Sequence, residues 1–323
     1  MVRKLFVLGL AILVLGLYFP SGADAQGKIN IGVLKFVDET RYVEAVKGFT
    51  DDLKKQGYDE NNVDFDIRSA EGNNEKAGQI AKEFVDKKVN LILAIGTGGG
   101  IAAFKATKEI PIVGTIIFSY VGIGLAKSNA SSGTNVTGST TAVDAYSMIK
   151  ILRQVSPAKR IGVLYCESEK NTVLQLEELK KLKSTLGYTV VEANVSKAEE
   201  AVQAVTDLVN QRVDSIVLTG STTISNKVMP DIVEVTNKAK VPIFSHTSDR
   251  VKNGALLSIS AEPYKLGELA GKKAVQVLKG AKPSDIPIES LTFYDITINA
   301  STAKAIGLVI PAKLLESAKQ VIK

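Results

Sequence analysis

The residues whose types and spacing could do chemistry are a glycine run, two acidic pairs, one histidine and one cysteine. The run is Thr97-Gly98-Gly99-Gly100, which follows the apolar stretch LILAIG and opens a short helical segment. A phosphate loop needs Gly-x-x-x-x-Gly-Lys-Ser/Thr, but Ile101, Ala102, Ala103 and Phe104 follow Gly100, with no lysine to reach a phosphate. Gly98-Gly99-Gly100-Ile101-Ala102-Ala103 has the outline of a dinucleotide fingerprint. The next apolar stretch, IPIVGTII, leads into Phe118-Ser119 and offers no acid for a ribose. The remaining ligand reading uses the backbone. Glycines admit a close approach, free N–H groups at a helix start favour a carboxylate or another acceptor, and Thr97 adds a hydroxyl. A tight strand-to-helix turn with no ligand fits the same residues.

The acids Asp38 and Glu39 are adjacent, so in extended chain they point apart and do not form a catalytic pair. Glu167 and Glu169 are two apart and can face one way, toward a ligand or into a solvated loop. His246 ends an apolar stretch, where it is either a ligand contact or a hydrogen-bonded strand end. Cys166 also ends a stretch, and its acidic neighbours oppose a reactive thiolate. With one His and one Cys in 323 residues, no metal-ligand spacing exists and no metal or cofactor is expected. There is no Gly-x-Ser-x-Gly elbow and no Ser-His-acid arrangement, so an enzyme is not expected.

The elements that position these residues alternate. Apolar, β-branched runs at residues 29–36, 63–70, 91–96 and 110–117 are separated by helical periodicity at 42–58 and 74–89 and by the glycine-led helix. In the first helix Val43, Val46, Phe49 and Leu53 recur at helical spacing; in the second, Ala77, Ile80, Ala81, Phe84 and Val85 share a face. After GTNVTGSTTAV the same cycle recurs, with strands at 160–166, 189–195, 214–220 and 242–248 and helices between them. Two cycles of strand and amphipathic helix predict an α/β protein with two similar Rossmann-like lobes, parallel sheets and short hinge strands between them. Ligands in open α/β sheets sit beyond the carboxyl ends of the strands. That rule nominates Asp38, Thr97, Gly98, Ser119 and Tyr120 in the first lobe. In the second it nominates Glu167, Ser168, Asn171, Ser221, Thr222 and Asp249. Phe118, Tyr120 and Tyr264 are candidate walls for an apolar or aromatic group.

The chain is 45% hydrophobic with a formal charge of +6, and its lysines and arginines form no run of the kind that binds nucleic acid. Residues 1–25 read as a signal peptide: MVRK is basic, LFVLGLAILVLGL is an apolar core, and Ala23-Asp24-Ala25 is a small-x-small cleavage site. Export with cleavage near Ala25 is expected, leaving Gln26 as the mature N-terminus.

Over nearly all of the mature chain the sequence resembles the solute-binding proteins of ABC importers, in the subfamily that includes tryptophan- and tyrosine-binding proteins. The carrying stretches include KINIGVLKFVD, IAKEFVDKKVNLILAIGT, IPIVGTIIFSYVGIGL, RIGVLYCESEKNT, VPIFSHTSDRVKNGALLSIS and YKLGELAGKKAVQVLKG, in order and at fitting spacing. The resemblance implies a type I periplasmic-binding-protein fold, with residues 26–142 plus 262–288 as lobe 1 and 143–261 plus 289–323 as lobe 2. It implies capture of a small solute, an amino acid or a related molecule, by hinge closure in the periplasm. Delivery would be to an ABC permease in the inner membrane, by a monomer, with no catalysis. An exported sensor of the same fold, presenting its ligand to a membrane receptor, is the alternative. Where relatives often carry Thr-Asp-Pro this chain has Phe118-Ser119-Tyr120, and where they often carry an Asp it has Gly220-Ser221-Thr222. Asp249 is the remaining acid of that set, with Glu167 and Glu169 nearby.

Overall fold

A computed structural model describes residues 27–323; the signal segment and Gln26 lie outside the described residues. The chain runs β1 (Ile29–Lys35), α1 (Thr40–Lys55), β2 (Val63–Ser69), α2 (Asn74–Asp86), β3 (Leu91–Ile95), α3 (Thr97–Ala106), β4 (Ile112–Ile117) and β5 (Val136–Thr140). It then crosses to α4 (Ala145–Leu152), β6 (Arg160–Tyr165), α5 (Lys170–Leu186), β7 (Thr189–Asn194), α6 (Ala201–Asn210), β8 (Ser215–Leu218), α7 (Met229–Ala239), β9 (Ile243–Ser245), α8 (Ser248–Lys252) and β10 (Leu257–Ser260). A second crossing leads to α9 (Pro263–Leu278) and β11 (Glu289–Ser290). A third leads to β12 (Asp295–Asn299), α10 (Ala300–Ile306), α11 (Ala312–Ser317) and β13 (Gln320–Ile322).

Two sheets result, ordered β11-β5-β4-β3-β1-β2 and β13-β12-β10-β9-β8-β6-β7. The central strands β3, β4 and β5 are buried along their whole length, as parallel strands covered on both faces by helices must be. The strands pair in parallel except β10 with β12, which run antiparallel with Leu257 opposite Ile298. Glu289 and Ser290 pair with Ser139 and Thr140, so these two residues belong to the first sheet, just past the boundary at 288 drawn from sequence. The crossings are tied to one another. Tyr294 donates its hydroxyl proton to the Ala142 carbonyl at 2.7 Å, and the Lys319 ammonium meets Glu262 and Asp295 at 2.7 Å each.

The return helix α9 docks on α1 backbone to backbone. A Cβ added at Gly267 would lie 2.1 Å from the Ala45 carbonyl oxygen, and one at Gly48 would lie 2.0 Å from that of Tyr264. Gly271 adds a third close approach, to Asp52 and the Phe49 carbonyl. This contact sets the rotation of α1. The sequence spacing put Val43 on the inner face with Phe49 and Leu53, but the buried face runs through Tyr42, Ala45, Gly48, Phe49 and Asp52. Val43 is left 54% exposed, because the small residues must face α9.

Gly267→Ala is expected to lower unfolding stability by about 3 kcal/mol, since a methyl group forced against backbone cannot be absorbed by a rotamer change. Urea unfolding measures it; a midpoint equal to that of the parent would show that the helices do not meet at this position.

Candidate functional site

The strand tips of both sheets face a cavity of about 860 Å³ between the lobes. The first lobe lines it with Phe36, Arg41, Tyr42, Thr97, Gly98, Ile116, Phe118 and Thr141. The second contributes Ser168, Glu169, Asn171, Gln175, Thr222, Thr223, His246, Ser248 and Asp249. The Phe and Tyr rings of the cavity thus come from the first lobe, and the second contributes mostly hydroxyl, amide and carboxylate groups.

The glycine run makes the aromatic side possible. Gly96 has φ +86°, open to glycine and strained for other residues, and a Cβ there would lie 2.5 Å from the Tyr42 hydroxyl. At Gly98 a Cβ would lie 2.3 Å from the Phe36 ring, and at Gly100 2.7 Å from Ile117. The glycines therefore admit the chain's own rings and core, which is a different use from the direct ligand approach read from sequence. The helix start itself remains open. Among the described residues the amides of Thr97, Gly98 and Gly99 donate to nothing, as the first N–H groups of an uncapped helix do. Ile116 takes φ +56°, a left-handed conformation that a β-branched side chain adopts only under strain of order 1–3 kcal/mol. The pairing of β4 with β5 slips between Gly114 and Ile117. Beyond this kink Phe118 lines the cavity, while Tyr120 turns into the core.

In the second lobe one loop, residues 219–224, is held from two sides. The Glu169 carboxylate accepts from the Ser221 hydroxyl at 2.6 Å and from the amides of Thr222 and Thr223 at 2.8 Å each. The buried Arg250 guanidinium donates to the carbonyls of Thr219, Ser221 and Ile224. Asn171 donates to the Gly220 carbonyl at 2.9 Å, and Gln175 accepts from the Gly220 amide at 2.8 Å. Charge-assisted hydrogen bonds of this kind contribute roughly 1.5–3 kcal/mol each, so the loop is fixed in place before any ligand arrives. Burial, then the Arg41 charge, brings Arg250 down to about 10, which leaves it cationic at neutral pH.

The lips carry further charge. Arg41 donates from Nε to Glu39 at 2.7 Å and sits 5.1 Å from the centre of the Tyr42 ring. Burial pushes Tyr42 up to about 12, so it stays a neutral hydroxyl. Asp249 lines the cavity with only a loose contact to Lys252, at 3.7 Å. Burial, and then the Asp249 charge, raise the Glu44 carboxyl. His246 is brought down to about 4 by burial and by Arg250, and its Nε2 has no partner among the described residues.

Of the residues nominated from sequence, Thr97, Gly98, Ser168, Asn171, Thr222 and Asp249 line the cavity. Six others do not. Asp38 is exposed and paired with Lys35. The Ser119 hydroxyl accepts from the Gly122 amide at 3.0 Å. Tyr120 is fully buried and donates to the Ser139 carbonyl at 2.9 Å. Glu167 is exposed to solvent. Ser221 is buried under its bond to Glu169. Tyr264 donates to Asp51 at 2.8 Å on the α1–α9 side of the lobe. Arg41 and Tyr42 were missed; both lie in the first turn of a helix that starts at the cleft. Cys166 is buried beside Ser168, with Sγ and Oγ 3.1 Å apart.

Two α/β lobes, three crossings and a cleft at the strand ends define a type I periplasmic-binding-protein fold. The chain belongs to the ABC transporter substrate binding protein family, whose model matches residues 30–322. It is therefore a solute-binding protein and not a catalyst. It is 34% identical over 287 residues to a tyrosine-binding protein of Clostridioides difficile strain R20291, covering 88% of this chain and 83% of that one. A crystallised ABC domain from Streptococcus pneumoniae in complex with L-Trp is 32% identical, with TM-score 0.85 over 92% of this chain and 100% of that chain. A ligand-free, open substrate binding protein from Clostridium difficile is also 32% identical but superposes at TM-score 0.74, over 91% of this chain and 99% of that one.

His246 is the chain's one histidine, which isolates a pH effect. The unfolded chain takes the imidazole proton near pH 6.5, and the folded protein takes it only near 4. Stability from this residue is therefore complete above about 6.5 and drains away as pH falls toward 4, by up to about 3 kcal/mol. His246→Gln is expected to flatten that slope. Urea midpoints between pH 7.5 and 4.5 test it; parallel curves for parent and variant would show that the imidazole is not held neutral.

Proposed function

We propose that the protein is the extracytoplasmic receptor of an ABC importer, exported to the periplasm by a signal peptide cleaved near Ala25. It captures an aromatic amino acid between its lobes as a monomer and passes it to an inner-membrane permease. The observation that carries this reading is the chemistry of the cavity between the lobes. The rings of Phe36, Tyr42 and Phe118 form a wall for an aromatic side chain. The open amides of Thr97, Gly98 and Gly99 suit a carboxylate. Asp249 on the opposite lobe suits an ammonium, whereas Glu169, already accepting three hydrogen bonds, is occupied by its own loop.

Closure is part of the reading. At equal identity the chain superposes better on the protein holding L-Trp than on the open, ligand-free one, so the difference lies in shape more than in ancestry. A ligand that touches both lobes favours the closed state by its differential affinity.

Isothermal titration against tyrosine, tryptophan, phenylalanine, leucine, nucleosides and sugars is expected to show the aromatic amino acids as the tightest ligands. Asp249→Asn should weaken them roughly 10- to 100-fold, the worth of one charge-assisted hydrogen bond. Tight binding of another class with no response to aromatic amino acids would overturn the assignment.

A further inference from the structure

The cavity does not end at the cleft. It continues down the outside of the first lobe as a groove between α2 and α3, lined by Gly78, Lys82, Val85 and Asp86 on one side and by Ile101, Ala102, Lys105 and Ala106 on the other. These positions fall on one stripe of each helix, because residues three and four apart share a face. The floor is small and apolar. A Cβ at Gly78 would meet nothing within 4 Å, so the space above it is open.

The edges are charged. Lys82 and Lys105 are exposed, and neither makes a salt bridge or side-chain hydrogen bond among the described residues. The other charged residue in the groove, Asp86, lies one helical turn beyond Lys82 and is likewise unbridged. Both helices start at the cleft, and helical side chains lean toward their own N-terminus. The two ammonium groups therefore lean back toward the cleft mouth, over an apolar floor. A volume of about 860 Å³ is near the top of the roughly 300–1,000 Å³ found for pockets of drug-sized ligands, which is more than one amino acid requires.

We propose that this groove is a second subsite of the cleft, and that it takes an anionic extension of the ligand: a short apolar stem ending in a carboxylate. The solute class is an aromatic amino acid joined to an acidic residue, as in an acidic dipeptide. The inference builds on the aromatic amino acid reading for the end held in the cleft. The peptide carbonyl takes the place of the amino acid's carboxylate as acceptor at Thr97 to Gly99, the methylenes of the extension lie on Gly78, Ala102 and Ala106, and its side-chain carboxylate meets Lys82 and Lys105. Exposed ion pairs of this kind are each worth up to about five-fold in affinity.

The test is titration with L-tyrosine, L-tyrosyl-L-glutamate and L-tyrosyl-L-glutamine, an isostere that lacks only the side-chain carboxylate. The parent protein is expected to bind the glutamate dipeptide more tightly than the glutamine one, by up to about five-fold for each lysine engaged. Lys82→Ala combined with Lys105→Ala should erase that gap while leaving L-tyrosine unchanged. Gly78→Leu, which replaces a helical glycine with a good helix former in open space, should fold normally, keep L-tyrosine binding and lose both dipeptides. If the two dipeptides bind alike, if the gap survives in the lysine variant, or if Gly78→Leu binds dipeptide as well as the parent, the groove is not a subsite. L-tyrosine binding without dipeptide binding removes this inference and leaves the aromatic reading standing. A charge-dependent dipeptide gap without L-tyrosine binding does the reverse, and no binding of any of the three removes both.

Discussion

The structure depends first on the contact between α1 and α9, where glycines at 48, 267 and 271 let two helices meet with no side chain between them. α1 carries Arg41 and Tyr42 into the cleft from its first turn, and α9 begins two residues after the crossing that brings the chain back from the second lobe. One interface thus fixes both a wall of the site and the place where the chain re-enters the first lobe. Helix pairs packed over ordinary side chains can slide by small rotamer changes; a contact between backbones has no such slack. The cost is conformational freedom lost at each glycine on folding, and packing along the whole length of α9 offsets it.

The two sides of the cleft reach rigidity differently. In the first lobe, rings lie against glycines, and the site is held by close packing. In the second, loop 219–224 is held by hydrogen bonds from a carboxylate on one flank and a guanidinium on the other. Each side of the cleft is therefore held in shape by contacts within its own lobe, which lowers the ordering cost of binding.

The alternation of strands and helices was legible because fully buried strands such as LILAI and amphipathic helices leave opposite signatures in the sequence. The site was legible only where it sits at strand tips, as at Thr97, Gly98, Ser168 and Asp249. Phe118 and Tyr120 have the spacing of residues on one face, yet the kink at Ile116 and the turn after β4 send them to different places, and no residue type announces a left-handed isoleucine. Glu169 read as a free acid because its partners lie more than fifty residues away, in a loop whose position only the tertiary fold defines. Arg41 and Tyr42 lay outside a rule confined to strand ends, although the first turn of a helix leaving the cleft is the natural extension of that rule.

The return of the chain to its first sheet also dictates an order of assembly. The face of α1 that α9 covers stays bare until everything from Ala145 to Ser260 has been made, because the helix that buries it comes afterwards. β5 likewise waits for β11 as its outer neighbour. The second lobe likewise has its strands from β6 to β10 in one continuous stretch and waits for β12 and β13. Contacts of such long sequence separation make folding slow, and they leave the uncovered face of α1 exposed for as long as the return helix is missing.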